Sequence, residues 1–149
     1  MSIIGYAPGA YDLFHIGHLN LLRHASERCD HLVAGVVTDD VLEAAKAQRP
    51  VIPLHERIEI VRNIRYVDDA VADPYVDKFE SWRRYRFDVL FKGDDWRDTP
   101  AGRRLEALLS EVGARVVYFP YTVHTSSTAL RRFIAMSGSQ SGSYRETGG

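Results

Sequence analysis

Short apolar runs separated by longer stretches of helical periodicity constrain this chain more than any other feature, because that alternation builds a parallel sheet covered by helices on both faces. The runs Ser2–Ala7, His31–Val37, Asp69–Ala72, Val89–Lys92 and Arg115–Phe119 read as strands. Between them, the segment from Gly17 to Arg28 carries Leu19, Leu22 and Ala25 on one face, and Leu54, Ile58, Val61 and Ile64 recur at a helical period after Pro53. Asp98-Thr99-Pro100 supplies an N-cap and a first-turn proline for a helix to about Glu111, which Gly113 would end. Ser126 and Ser127 can cap a last helix through Ala129, Leu130, Phe133 and Ile134. The expected fold is an α/β, Rossmann-like, doubly wound five-stranded parallel sheet, whose ligands bind beyond the C-terminal strand ends. One domain is expected over residues 1–136, followed by a Ser/Gly-rich tail, Ser137–Gly149, with no apolar period and an expectation of disorder.

Composition narrows the partners. The 149 residues hold 19 basic and 20 acidic side chains, a net charge of −1, so no global positive field recruits a nucleic-acid backbone. The clusters Arg83/Arg84/Arg86, Arg103/Arg104 and Arg131/Arg132 read as solvated helix faces. Cys29 is the single cysteine and is read as inert packing in a reducing compartment. No apolar run has the length of a membrane span, and the first residues lack the layout of a secretion signal, so the expectation is a cytoplasmic protein.

Chemistry gathers in Gly9-Ala10-Tyr11-Asp12-Leu13-Phe14-His15-Ile16-Gly17-His18, a turn leading from the first strand into the first helix. A helix N-terminus offers free amides to phosphate oxygens, and an imidazole or imidazolium N–H can donate to an oxygen that gains charge during displacement. The same pair can also be ordinary helix-start histidines. A metal site has little support, since Asp12 is the only obvious third ligand nearby.

The His15-Ile16-Gly17-His18 tetrad in that context resembles the HxGH nucleotidyltransferase superfamily. Arg65-Tyr66-Val67-Asp68, Gly93-Asp94-Asp95-Trp96, and Thr122 followed by Ser126-Ser127-Thr128 sharpen the resemblance toward the glycerol-3-phosphate cytidylyltransferase branch, over about residues 3 to 134. The resemblance implies transfer of CMP from CTP to a small phosphorylated alcohol, with Mg²⁺ carried mainly by the triphosphate and, as is common among relatives, a homodimer. An exposed Trp82 or Tyr85 face would suit such a dimer. No nucleic-acid or membrane partner is implied.

By the same resemblance His15, His18 and Lys46 are the catalytic residues. Gly9, Ala10, Tyr11, Arg65, Asp95, Thr122, Ser126, Ser127 and Thr128 bind the nucleotide. Lys46 and Arg49, in a loop after the second strand, join Lys78 and Trp96 at the acceptor. Each has a plainer reading: N-caps for Ser126–Thr128, a turn for Asp94-Asp95, and surface cations for Arg65 and the lysines. One departure stands out. Where relatives read Arg-Thr-Glu-Gly-Ile-Ser-Thr-Thr, this chain reads Tyr121-Thr122-Val123-His124-Thr125-Ser126-Ser127-Thr128, so the phosphate-binding arginine is a tyrosine. His124 or Arg131 can take its place. Two other readings stay open: an adenylyltransferase using ATP, which would share the tetrad and the sheet, and a nucleotide-binding protein without turnover, to which the lost charge points.

Overall fold

The computed structural model describes residues 2–120 and 127–144. The elements in order are β1 (Ile4–Gly9), α1 (Ile16–Ser26), β2 (His31–Val37), α2 (Asp39–Lys46), α3 (Leu54–Arg62), β3 (Asp69–Asp73), α4 (Lys78–Tyr85), β4 (Val89–Gly93), α5 (Pro100–Glu111), β5 (Arg115–Phe119) and α6 (Ser127–Tyr144), with a 3-10 turn at Asp94–Trp96. The strands form one parallel sheet in the order β3-β2-β1-β4-β5, so the expected architecture is the observed one.

The two faces have separate cores. On one, Leu22 and Ala25 of α1 and Val61 of α3 pack with Ala7, Val36 and Phe91. On the other, Leu105 and Leu109 of α5 pack with Tyr6, Phe87 and Leu90, flanked by Trp82 and Tyr85 of α4. Alternate residues of β4 therefore serve opposite faces, as a strand requires. Trp82 and Tyr85 are not the exposed face expected of them. The Trp82 indole N–H donates to the Phe87 carbonyl and the Tyr85 hydroxyl to the Ala72 carbonyl, so both rings are spent on the core.

Sheet order has a functional consequence. The direction in which successive strands are added reverses between β1 and β4, the switch point where α/β sheets place ligands. β1 pairs with β2 along its whole length, from Ile4↔His31 to Gly9↔Val36, but with β4 only at Gly5↔Val89 and Tyr6↔Leu90. Beyond those two pairs β1 and β4 share no further register, so their C-terminal ends part at the switch point. The first strand runs two residues past its expected end at Ala7, through Pro8. Proline cannot donate to a ladder, and pairing with β4 has ended before Pro8 is reached.

Helix ends follow local chemistry. Thr99 caps α5 by accepting from the Gly102 amide at 3.1 Å, Pro100 occupies the first turn, and Gly113 leaves the helix at φ +82°. α2 lies where the sequence suggests a loop, so Lys46 stands in its last turn and Arg49 just beyond it. α6 continues through Ser137–Tyr144, the start of the Ser/Gly-rich stretch; no proline interrupts it, and an established helix adds residues more easily than it nucleates. Among the described residues no helix is long and apolar enough to cross a membrane.

Candidate active site

His15 is the N-cap of α1, and its Nδ1 accepts the Gly17 amide at 3.0 Å. In return the His15 amide donates to Nδ1 of His18 at 3.2 Å, a capping box built from two imidazoles. Accepting at Nδ1 assigns the tautomer: each neutral ring carries its proton on Nε2. The ring centroids lie 4.0 Å apart. Burial lowers the pKa of His15, and burial with the neighbouring His15 and Arg131 pushes His18 down to about 3, Asp12 opposing. At neutral pH both rings are therefore uncharged Nε2–H donors rather than imidazolium.

The depressed pKa of His18 makes stability depend on pH. Unfolded, the ring titrates near 6.5; folded, it stays neutral to about 3, so below pH 6.5 the unfolded chain binds more protons. Stability is full above pH 6.5 and falls as pH drops toward 3. His18→Asn retains an acceptor at the Nδ1 position and has nothing to titrate. We expect that variant to lose less stability on acidification, by about 2 kcal/mol between pH 6.5 and 4 after allowing for solvent screening. Urea melts across that range measure it, and parallel pH profiles for the two chains would refute it.

The second helix start reaches the same place. Ser127 Oγ donates to the Asp12 carbonyl at 2.8 Å, and Arg131 Nη2 meets Asp12 Oδ2 at 2.7 Å. Asp12 is fully buried and also accepts the Val51 and Ile52 amides, both at 2.9 Å. This carboxylate ties α6 and the 51–52 segment to the first turn, and its oxygens are too committed to serve a metal. The ion pair with Arg131 and the two amide bonds lower its pKa against the upward pull of burial. Arg131 is thus not a solvated helix cation like Arg83, and it stands within electrostatic reach of His18. Neither α1 nor α6 has an acidic residue in its first turn, a feature shared with α5, whereas α2, α3 and α4 carry Asp39 and Asp40, Glu56 and Glu80 there. The two helices that meet at the crevice keep their positive ends unneutralised, as an anion site requires.

Tyr11 and Leu13 hold left-handed backbone at φ 53° and 51°, strain placed in the turn that leads to His15. Tyr11 is buried in the core, its hydroxyl donating to the Ala7 carbonyl, so it shapes the turn from below. A side chain at Gly9 would come within 3.1 Å of the Tyr11 ring. Ala10 offers its carbonyl to Arg57.

On the opposite face Lys78 begins α4. Its ammonium lies 3.1 Å from Asp73 and donates to the Tyr75 carbonyl at 2.7 Å, leaving one N–H uncommitted. Asp73, fully buried, also accepts the Tyr6 and Ser81 hydroxyls at 2.6 and 2.9 Å. Tyr6 reaches it by crossing Gly35, where a Cβ would stand 2.0 Å from the Tyr6 oxygen. Lys78 and Trp96 line one pocket with Val76, Ala101, Leu105 and Leu108. Asp95 lies beside them in the 3-10 turn, within electrostatic reach of Lys92.

Arg65 is placed elsewhere. It precedes β3, on the edge where Asp68 receives the Leu32 amide at the start of β2, and its guanidinium rests 5.9 Å from the Tyr66 ring. It lies at the N-terminal ends of the strands, whereas the histidines follow the C-terminal end of β1. Thr128 is exposed at the start of α6. Tyr121, Thr122, His124 and Ser126 lie outside the described residues.

With paired histidines at one helix start, a second helix start latched over them and a crevice at the switch point, comparison with known proteins becomes decisive. The cytidylyltransferase-like family matches residues 6–133. The chain belongs to this family. An ethanolamine-phosphate cytidylyltransferase of Arabidopsis thaliana is 37% identical over 130 residues, covering 84% of this chain and 30% of that protein. An FAD synthase of Thermococcus sibiricus is 30% identical over 127 residues, covering 85% and 86%. This chain thus spans under a third of the plant relative's length and nearly all of the archaeal one's. A lipopolysaccharide core biosynthesis protein of Thermoplasma volcanium shares the fold, with a TM-score of 0.69 at 21% identity over 84% of this chain and 100% of that one. Its relatives mark this cytidylyltransferase-like chain as a nucleotidyltransferase.

Two residues of the site have roles that a reading of the sequence does not assign. Arg57, fully buried, donates to the Ile52, Ala10 and Val37 carbonyls and pairs with Asp39. Its signal is positional: it falls three residues after Leu54 and four before Val61, on the apolar stripe of α3. Lys92 is the other, a cation inside an apolar strand.

Proposed function

We propose that this chain transfers CMP from CTP to the phosphate of a small phosphorylated alcohol resembling glycerol 3-phosphate, releasing pyrophosphate. The observation that carries the reading is the pair of Nε2–H donors at the start of α1, with α6 latched beside them through Asp12. A triphosphate lying over the two helix starts meets backbone amides and two neutral donors. A phosphate oxygen of the acceptor attacks the α-phosphorus in line, and the bond to the pyrophosphate oxygen breaks. A phosphate monoester has its second pKa near 6, so the nucleophile is already ionised at pH 7 and no general base is needed. The work left to His15 and His18 is to donate to the oxygens that gain charge, and that of the cations opposite is to hold a second anion near the first.

Among the described residues no group of three His, Cys, Asp or Glu side chains could hold a metal ion. Mg²⁺, which needs few protein ligands, would be held by triphosphate oxygens and water and would neutralise charge there. Asp95, at the strand end, is the acceptor proposed for the cytosine amino group.

A second reading has its own support. The FAD synthase, an ATP-using relative, matches this chain over nearly its whole length. Melting with each nucleoside triphosphate separates the two. CTP at about 100 times its Kd adds about 2.7 kcal/mol to stability, so it should raise Tm more than equal ATP or UTP. Pyrophosphate release with polyol, amino-alcohol and flavin phosphates then identifies the acceptor. Greater stabilisation by ATP moves the chain to adenylyl transfer; a nucleotide shift without pyrophosphate release from any acceptor leaves a binding protein.

A further inference from the structure

Lys92 is the penultimate residue of β4, in the part of that strand that no longer pairs with β1. It alternates with Phe91 and shares the Leu90 face, the side of α4 and α5. It is partly buried, and its ammonium lies 4.2 Å from the centroid of the Trp96 ring. It forms no hydrogen bond and no ion pair with another described residue. Burial pushes its pKa down, Lys78 and Lys46 push in the same direction, and Asp95 opposes them. Lys46 of α2 and Lys78 of α4 thus both act on Lys92 near the open strand ends.

This arrangement is costly as it stands. Withdrawing an ammonium from water is unfavourable unless it is paired, and an aromatic face offsets only part of that loss. Lys78 next to it has Asp73 and a carbonyl as partners. Among the described residues Lys92 makes no hydrogen bond or ion pair, and Asp95 acts on it only through space. An anion in the crevice supplies what is missing. The side of the crevice also matters: Lys92 and Trp96 lie with α4 and α5, whereas the histidines and the start of α6 lie with α1.

We propose that Lys92 is a ligand of the acceptor's phosphate group, closing with Lys46 and the uncommitted N–H of Lys78 a three-lysine cradle for a phosphate monoester dianion, with Trp96 holding the ammonium in aim. The inference rests on the nucleotidyl-transfer reading for its choice of acceptor over nucleotide phosphates. It assigns anion binding to a residue that reads, in sequence, as part of a strand.

The test uses the full chain, Lys92→Met and Lys92→Arg, with inorganic phosphate and glycerol 3-phosphate as probes. Each is titrated into protein saturated with a non-hydrolysable analogue of whichever nucleotide gives the largest melting shift, read by tryptophan emission, with Trp96→Phe to identify the reporter. Lys92→Met should weaken both probes at least about 10-fold, a change of about 1.4 kcal/mol, leave the nucleotide's melting shift unaltered, and raise the ligand-free Tm by removing an unpaired cation. Lys92→Arg should bind within about 3-fold of the parent. Unchanged probe affinity in Lys92→Met overturns the proposal, and a lowered ligand-free Tm alongside it would mark the contact with Trp96 as structural. Loss of nucleotide affinity with probe binding intact also overturns it, by giving Lys92 to the triphosphate. Absence of pyrophosphate release from the parent, with the Lys92 effect on phosphate intact, instead removes the transfer reading and keeps the anion site.

Discussion

His18→Asn is expected to fold as the parent does and to lose about 10²–10³-fold in kcat, the usual effect of removing one preorganised donor from a developing oxyanion. The choice of asparagine follows from the two nitrogens having different tasks. Nδ1 receives the His15 amide and holds the first turn of α1, and the asparagine oxygen occupies nearly that position. Nε2, the donor, has no counterpart in asparagine. His18→Gln makes the opposite exchange, placing an amide N–H near Nε2 while giving up the cap, which costs about 1 kcal/mol. Glutamine should therefore retain more turnover than asparagine and melt lower. Pyrophosphate release and thermal melts read the two axes separately. Parental turnover in His18→Asn would remove the ring from the chemistry and leave it as a capping residue.

The parts of this molecule that a sequence displays are those governed by local rules. β2 and β5 begin and end as their apolar runs do, and α5 matches its cap, proline and terminal glycine. The tetrad is visible because both histidines fall within one helical turn. α2 is not, because eight residues show barely two turns of periodicity and their first residues, Asp39 and Asp40, resemble a turn. Lys46 is consequently the end of a helix, with Ala47 in left-handed backbone, rather than a loop residue. Longer-range pairings leave no trace in spacing. Asp12 and Arg131 meet across 119 positions and Tyr6 and Asp73 across 67. Arg65 shows the converse. Its motif is intact, yet it precedes β3 and so lies at the N-terminal ends of the strands, whereas the histidines follow the C-terminal end of β1.

Arg57→Ala is expected to cost about 3–5 kcal/mol, the range for breaking a buried ion pair by removing one partner. The side chain is fully buried and its guanidinium joins four segments that share no secondary structure: the turn after β1 at Ala10, the end of β2 at Val37, the start of α2 at Asp39 and the chain before α3 at Ile52. Alanine leaves three carbonyls and a carboxylate to find other partners, in a space that no neighbouring side chain fills. Arg57→Lys keeps the charge but cannot reproduce the planar fork, so it should fall between the two. Denaturant midpoints at constant m-value measure the series. The loss should also reach the nucleotide. Arg57 holds the Ala10 carbonyl just before the left-handed residues Tyr11 and Leu13, and Asp12 between them anchors Arg131 and Ser127. A slack first turn separates the two helix starts, so Arg57→Lys at a temperature where it remains folded should bind nucleotide more weakly than the parent. Parental affinity in a folded but destabilised Arg57→Lys would show that the two helix starts hold their spacing without this hub.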